Sequence, residues 1–106
     1  MAQFDVHKNP GANREAVPFV VIVQSAAYDS TPRRVVIPLA RTTVYGAPSY
    51  ARLTPQFVVD GVSVVLRPFE LVSVPADKLG KRVGTLREHG PRIISAIDEL
   101  ITGAFD

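Results

Sequence analysis

The chain has 106 residues, 46% of them apolar and 21% charged, a length and composition that predict a single domain with one core over residues 1–106. It contains no cysteine, which excludes disulfides and thiolate chemistry and favours a reducing cytoplasm. The formal net charge of +2, with mostly scattered basic residues, argues against direct nucleic-acid binding, which requires the neutralisation of many phosphates.

The first part of the sequence contains two predicted strands separated by a loop. Residues 3–8 alternate apolar and polar side chains, which predicts a half-buried strand with His7 on its polar, exposed face. Residues 9–13 predict a loop, and residues 19–23 form a β-branched run typical of a strand buried on both faces. The first residues lack the pattern of a secretory signal, and no apolar run approaches the roughly 20 residues that span a membrane.

The middle of the sequence is interrupted by proline and glycine. Residues 34–37 predict a third strand that Pro38 closes, because proline has no N–H to donate and belongs at a strand end or edge. Residues 42–53 predict irregular structure, with a short strand at 42–45.

The dipeptide Asp60-Gly61 gives the strongest local signal. It lies between the β-rich runs 56–59 and 62–66, and both of its residues tolerate the positive φ that a two-residue type I′ hairpin turn requires. Residues 71–74 predict a further short strand, which the following proline stops.

The last part of the sequence carries helix signals. Pro91 suits the first helical position and Gly103 suits the residue after the last turn, where φ is usually positive, so a helix is predicted over residues 91–102. The helical spacing is that of Ile94, Ile97 and Ile101. The apolar residues of the helix form a set wide enough to cover the sheet and also to meet a dimer partner. They are Ile93, Ile94, Ile97, Leu100 and Ile101. The predicted fold is five to seven short strands followed by one helix.

Groups that could carry catalysis are few. His7 and His89 are predicted to lie at the surface, and no metalloprotease, nucleophile-elbow or phosphate-loop motif occurs. We therefore predict no catalytic residues, no metal and no cofactor. The pair Arg33-Arg34 could contact phosphate or RNA, but a single pair neutralises few phosphates, and Arg34 is expected to pair with a carboxylate such as Asp29.

Five short motifs follow one another along the chain. They are Gln3-Phe4-x-Val6, Val23-Gln24-Ser25-x-x-x-Asp29, Arg33-Arg34-Val35-Val36-Ile37-Pro38-Leu39, Val72-Ser73-Val74-Pro75 and Ile93-x-x-Ala96-Ile97-Asp98. In this order, and with the closing helix, they resemble the CcdB family of toxins from toxin–antitoxin systems. Residues 42–56 match that family poorly.

The resemblance implies a mainly β fold with one C-terminal helix, an SH3-like antiparallel barrel of the CcdB type, paired as a homodimer. It implies a type II toxin, associated with plasmid maintenance, that binds the A subunit of DNA gyrase and traps the enzyme with its DNA cleaved. A CcdA-like antitoxin with a disordered tail would release the enzyme. The toxin would catalyse no reaction and would meet DNA only through these partners.

The resemblance also implies contact residues at two places in the sequence. The gyrase contacts carried over are Ser25, Ala27 and Tyr28 beside the Gln-Ser motif, and Asp98, Ile101, Thr102, Gly103 and Ala104 at the end of the helix. The predicted dimer interface consists of Ile94, Ile97 and Ile101. Thr102-Gly103-Ala104 replaces the Trp-Gly-Ile ending of the best-known pattern, which removes a large aromatic contact. The loop at residues 9–16 is the candidate contact for the antitoxin.

Two other functions are compatible with the same sequence. An endoribonuclease of the MazF type, which shares the barrel, would use Arg33 with a nearby carboxylate or hydroxyl for acid–base chemistry. A binding homologue that has lost the gyrase contact would only sequester the antitoxin, and the altered ending of the helix is what suggests it.

Overall fold

The computed structural model describes residues 2–46 and 50–103, which form a seven-stranded sheet and two α-helices. The strands are β1 (Asp5–Lys8), β2 (Phe19–Ile22), β3 (Arg33–Arg41), β4 (Gln56–Val59), β5 (Val62–Leu66), β6 (Val72–Pro75) and β7 (Arg82–Thr85). The helices are α1 (Thr42–Tyr45), a single turn, and α2 (Gly90–Thr102). Short 3-10 turns lie at Ala26–Tyr28, Pro68–Glu70, Ala76–Lys78 and Arg87–His89. No helix in the described residues is long and apolar enough to cross a membrane.

All strands pair antiparallel, in the spatial order β4-β5-β3-β2-β1-β7, and β6 pairs with β3 as well. The long strand β3 organises the sheet, because its first residues pair with β6, its last residues pair with β5, and β2 runs along its other side. The sheet therefore curls into a half-barrel around β3. The predicted mainly β fold with one C-terminal helix is confirmed.

The hairpin between β4 and β5 is a confirmed prediction of local geometry. Val59 pairs with Val62, and the intervening Asp60 and Gly61 have φ angles of 50° and 75°. Two successive positive φ angles are those of a type I′ turn, whose twist matches the twist of the strands that it joins.

Pro38 lies inside β3, so the prediction that it closes the strand is wrong. It is opposite Val20 in the register. Because the Val23 amide donates to the Val35 carbonyl oxygen at 3.0 Å, the alternation of an antiparallel ladder makes the pair at Pro38 a non-hydrogen-bonded one. The nitrogen of Pro38 therefore points away from β2, between the ends of β6 and β5, where the missing N–H costs no ladder bond. On that side the Pro38 carbonyl oxygen accepts from the Arg67 amide at 3.0 Å.

Two segments differ from the sequence-based expectation. Residues 42–45 form the helical turn α1 rather than a strand, and the turn closes because the Gly46 amide donates to the Thr42 carbonyl oxygen at 2.7 Å. Gly46 then leaves the turn with a φ of 73°, which suits glycine. Strand β7 carries little sequence signal, because Gly84 interrupts its short alternation; it forms by pairing with β1.

Strand β1 is buried on both faces, so the prediction of an exposed polar face with His7 at the surface is wrong. The strand lies between β2 and β7, and Asp5 and His7 are 7% and 5% exposed. Each has a polar partner that offsets part of the cost of burial, and the Nε2 atom of His7 is buried without one among the described residues. His7 donates from Nδ1 to the Gly80 carbonyl oxygen at 2.8 Å, while the Asp5 carboxylate accepts from the Ala2 amide at 3.0 Å and pairs with Arg82 at 3.2 Å.

The main core lies between the concave face of the sheet and α2. It includes Val6, Phe19, Val21, Ile37, Leu39, Val64 and Leu66 from the strands and Ile93 and Ala96 from α2. A smaller cluster of Val20, Ile22 and Val36 lies on the other face. Strand β2 contributes alternate residues to both clusters, which confirms that it is buried on both faces, and removal of this apolar surface from water is the main stabilising contribution.

Candidate functional site

The first half of α2 is fixed to the core. Ile93 and Ala96 are fully buried, and Ile97 packs against the same cluster while remaining partly buried. Gly90 lies against the ring of Phe4, and a Cβ added there would come within 2.6 Å of the ring atom Cε2. This close approach requires glycine, and together these contacts orient α2 on the sheet.

The last turn of α2 leaves the core. Ile101 is 60% exposed, and Ile94, seven residues earlier and therefore on the same face of the helix, is 39% exposed. Thr102 donates from its hydroxyl to the Asp98 carbonyl oxygen at 2.6 Å, which keeps its polar group within the helix. Of the three isoleucines predicted for the dimer interface, Ile97 packs into its own core, whereas Ile94 and Ile101 face solvent.

Gly103 follows α2 in a right-handed conformation, with φ −57° and ψ −23°. The prediction of a positive φ at this residue is therefore wrong. The chain leaves the helix through 3-10 geometry, which requires no left-handed residue. A Cβ at Gly103 would meet the Oε1 atom of Glu99 at 3.3 Å, the mobile end of a side chain. Ala104, the last predicted contact, lies outside the described residues.

The turn at residues 25–31 carries the other predicted contact residues. Ser25 accepts from the Ala27 amide at 3.2 Å and so caps the 3-10 turn Ala26–Tyr28. Ser25 and Ala27 are exposed, and Tyr28 is 61% exposed. No residue of this 3-10 turn is buried, so apolar packing does not hold it in place.

Polar side chains from the adjoining strands hold the turn instead. Arg34 of β3 is buried and donates from its two terminal nitrogens to the carbonyl oxygens of Asp29, Thr31 and Arg33 at 2.7–2.8 Å. Its Nε atom lies 3.9 Å from the Asp29 carboxylate, so the expected pairing with Asp29 is confirmed. Gln24, at the end of β2, reaches the same turn with its side-chain amide.

Arg33 is directed to β6 rather than to the turn. It donates from Nε to the Ser73 hydroxyl at 2.8 Å and from its terminal nitrogen to the Ser73 carbonyl oxygen at 2.9 Å. In the part of the chain that the structure describes, Arg33 forms no ion pair with a carboxylate. Its neighbour is thus a hydroxyl that tethers two strands, and a serine hydroxyl alone is a weak proton acceptor.

The N-terminal segment links the two groups of predicted contact residues. Gln3 and Asp98 line one open cavity of about 630 Å³ on the side of α2. The side-chain amide of Gln3 donates to the Val23 carbonyl oxygen at 3.1 Å, two residues before Ser25. Gln3 therefore lies between the helix face that bears Asp98 and the strand end that leads into the turn.

A second cleft, of about 550 Å³, is cationic. Its lining includes all three lysines of the chain, Lys8, Lys78 and Lys81, together with Arg14, Arg41 and the carboxylate of Asp60. Among the described residues none of the lysines is ion-paired. These six groups sum to a formal +4, whereas the whole chain carries +2, so the cleft is the positive pole of the molecule. The loop at residues 9–16 supplies part of its wall.

In the part of the chain that the structure describes, histidine and carboxylate side chains do not cluster in one place. His89 is half-buried and stacks on Phe57 with ring centroids 5.2 Å apart, so its predicted place at the surface is only partly right. Within residues 2–46 and 50–103, no group of three His, Asp or Glu side chains could hold a metal ion. Burial would raise the pKa of Asp5, but the Ala2 amide and Arg82 outweigh it and hold that pKa below its ordinary value.

A comparison with known protein families covers nearly the whole of this structure. The family model described as CcdB protein matches residues 3–103. The chain belongs to the CcdB family. Members of this family are toxins of toxin–antitoxin systems. A comparison with curated proteins finds no match.

Two features of the surface, the cationic cleft and the side chains that support the turn at residues 25–31, were not predicted from the sequence. The cationic cleft has no local signal, because Lys8 is distant in sequence from Lys78 and Lys81 and reaches them through the pairing of β1 with β7. The support of the turn does have a signal, since Gln24 and Arg34 both belong to the motifs shared with CcdB proteins. Only the structure shows that their side chains converge on one segment.

Proposed function

We propose that this CcdB-family protein is a homodimeric toxin that binds the A subunit of DNA gyrase and holds the enzyme with its DNA cleaved. The main support is the exposed apolar end of α2, where Ile101 is 60% exposed on a helix that Ile93 and Ala96 anchor in the core. Burying an exposed isoleucine in an interface contributes about 1.5–3 kcal/mol to the free energy of binding. The exposed side chain of Ile101 therefore favours binding to a partner. Such a toxin acts by non-covalent binding and needs no catalytic residue.

The proposed gyrase contact combines the helix end with the turn. From α2 it takes Asp98, Ile101, Thr102, Gly103 and Ala104, and from the turn Ser25, Ala27 and Tyr28. Thr102 lacks the contact area of the tryptophan in the best-known CcdB pattern. The exposed ring of Tyr28 offers a large amphipathic surface that offsets part of this loss.

The decisive experiment is a DNA cleavage assay with purified gyrase and micromolar toxin dimer. Cleaved DNA should accumulate and supercoiling should fall. Ile101→Lys serves as the matched control, because it places a charge on the exposed end of α2 without touching the core. If wild-type toxin changes neither cleavage nor supercoiling, gyrase is not its target.

A second copy of the chain is proposed to cover the face of α2 at Ile94, with Ile101 at the edge of this interface and still open to gyrase. Ile97, the third predicted interface residue, would contribute less, because its own core already holds it. Sedimentation equilibrium should show a dimer at micromolar concentration, and Ile94→Lys should shift it to monomer while the circular dichroism spectrum stays native. A monomeric wild-type protein would contradict the dimer.

The antitoxin is proposed to place an acidic, disordered tail in the cationic cleft beside residues 9–16. Opposite charges attract over about 8–10 Å at ordinary ionic strength, and pairing across an interface is weakened by salt. Lys81→Glu should lower the affinity for an acidic peptide from the neighbouring antitoxin gene about tenfold at low salt. Arg52→Glu makes the same charge change at an arginine that does not line this cleft and should leave the affinity within twofold. Equal losses in both variants would exclude the cleft as the docking site.

A further inference from the structure

The turn at residues 25–31 is ordered without a core of its own. Its 3-10 segment buries no side chain, and Tyr28 is largely exposed. Local amide bonds shape it, from Tyr28 to the Ser25 carbonyl oxygen at 3.0 Å and from Asp29 to that of Ala26 at 3.1 Å. These short-range bonds fix the 3-10 geometry but do not tie the turn to the sheet.

Arg34 supplies the first tie between the turn and the sheet. Its backbone pairs with Val74 inside the β3–β6 ladder, so the origin of the side chain is fixed. The side chain is 8% exposed, and its two terminal nitrogens donate to carbonyl oxygens at three positions between Asp29 and Arg33. A buried guanidinium whose two terminal nitrogens donate to three backbone oxygens fixes the path of that backbone.

Gln24 supplies the second tie. Its side-chain oxygen accepts from the Val35 amide at 3.1 Å, which anchors the group to β3. Its side-chain nitrogen lies 3.1 Å from the Tyr28 carbonyl oxygen, and 3.2 Å from both the Arg33 carbonyl oxygen and the Thr31 hydroxyl. The Thr31 hydroxyl in turn donates to the Tyr28 carbonyl oxygen at 2.8 Å. The side chains of Arg34 and Gln24 thus meet the inner surface of the turn and leave its outer surface free.

We propose that Arg34 and Gln24 are positioning residues, which hold the turn in its binding conformation without touching the partner. This inference rests on the proposed gyrase contact through Ser25, Ala27 and Tyr28. A segment that is already ordered loses less conformational entropy on binding than a mobile one. Loss of either tie should therefore slow association, whereas loss of a contact residue such as Ile101 should speed dissociation.

Two variants test the ties separately, and a third is their control. Arg34→Lys keeps the charge but has one nitrogen in place of the guanidinium fork. Gln24→Glu keeps the shape and replaces the donor with an oxygen that faces carbonyl oxygens. Arg33→Ala removes the next arginine in β3, whose side chain bonds to Ser73 and not to the turn. If Arg34→Lys fails to fold, Gln24→Glu still tests the inference, because Gln24 is only half-buried.

The first measurement is hydrogen exchange in the toxin dimer alone, at the amides of Tyr28, Asp29 and Thr31. Exchange there should rise about tenfold or more in Arg34→Lys and Gln24→Glu and stay unchanged in Arg33→Ala. An unchanged rate in both test variants would show that the two side chains do not hold the turn, whatever the toxin binds.

The second measurement is stopped-flow binding to the isolated A subunit of gyrase. The association rate constant should fall about tenfold in Arg34→Lys and Gln24→Glu, with a dissociation rate constant within threefold of wild type. If the wild type binds gyrase and both variants associate at the wild-type rate, the positioning role is overturned and the proposed function stays intact. A wild type that does not bind gyrase would overturn the proposed function, and the gyrase role of the two residues with it.

Discussion

The two ends of α2 differ in what holds them. The first half is locked by Ile93 and Ala96, both fully buried, and by the close approach of Gly90 to Phe4. The last turn has Ile101 exposed to solvent, a side-chain bond from Thr102 to the backbone of the same helix, and a 3.9 Å ion pair between the exposed side chains of Glu99 and Arg52. The start of the helix therefore contributes to stability, whereas its end is the part that the proposed function assigns to partner binding.

This division means that mutations at the two ends should separate folding from binding. Substitutions near the start should lower the free energy of unfolding and affect gyrase only through the folded fraction. Substitutions near the end should change affinity with the stability intact. Substitutions at Ile93, Ile101 and Gly103 test that division in order of decreasing expected effect, and a substitution at Asp5, with the smallest expected effect, tests the link between β1 and β7.

Ile93→Ala should lower the free energy of unfolding by about 2–5 kcal/mol, because it leaves a cavity at a fully buried site. Urea denaturation of the purified toxin measures the loss. Ile101→Ala is the matched control and should stay within about 0.5 kcal/mol of wild type, as exposed positions usually do. Similar losses in both would remove the distinction between the two ends.

Ile101→Ala should weaken binding to the A subunit of gyrase about ten- to hundredfold, the loss expected when a central apolar contact of about 1.4–2.8 kcal/mol is truncated. Isothermal titration calorimetry at fixed dimer concentration measures it. Unchanged affinity would move the gyrase contact away from the helix end.

Gly103→Phe should weaken gyrase binding about tenfold while the protein stays folded, because the nearest atoms to an added Cβ, among the described residues, belong to the flexible side chain of Glu99. Gly90→Ala is the contrasting change, since the added methyl group collides with the Phe4 ring and should destabilise the fold. Thermal unfolding followed by circular dichroism distinguishes the two. Loss of folding in Gly103→Phe would instead make Gly103 a structural cap.

Asp5→Asn should cost about 1 kcal/mol of stability at neutral pH, through weaker pairing of β1 with Arg82 of β7. The folded state lowers the pKa of Asp5, so its stabilisation is complete above the unfolded pKa of about 3.9 and is lost as pH falls through the folded value. Urea midpoints of wild type and variant should therefore begin to converge below about pH 4 and meet once the pH is below the folded pKa. A gap that persists there would indicate a cause other than the carboxylate charge.

Sequence-based predictions are confirmed where a few neighbouring residues determine the backbone geometry by themselves. The turn at Asp60 and Gly61 needs two positive φ angles, and the residues themselves indicate it. Pro38 shows the opposite case, because its place within β3 depends on where two partner strands end. His7 likewise could not be placed without knowing that β1 has neighbours on both sides.

The candidate site was only partly visible in the sequence for a similar reason. The spacing of Ile94, Ile97 and Ile101 correctly indicates a helix, but spacing does not tell which stripe faces the core. The buried stripe passes through Ile93 and Ala96 instead, because Gly90 sets the rotation of the helix against Phe4. Exposure at Ile101 follows from that rotation.

The pairing of β1 with β7 has a consequence for how the toxin is made. Val6 pairs with Val21 of β2 on one side and with Gly84 of β7 on the other. Strand β1 therefore cannot have both neighbours until β7 has been synthesised. Contacts so distant in sequence form late in folding. A nascent chain still held by the ribosome cannot complete its sheet until β7 has been synthesised, nor place α2 on that sheet until residues 90–102 have followed.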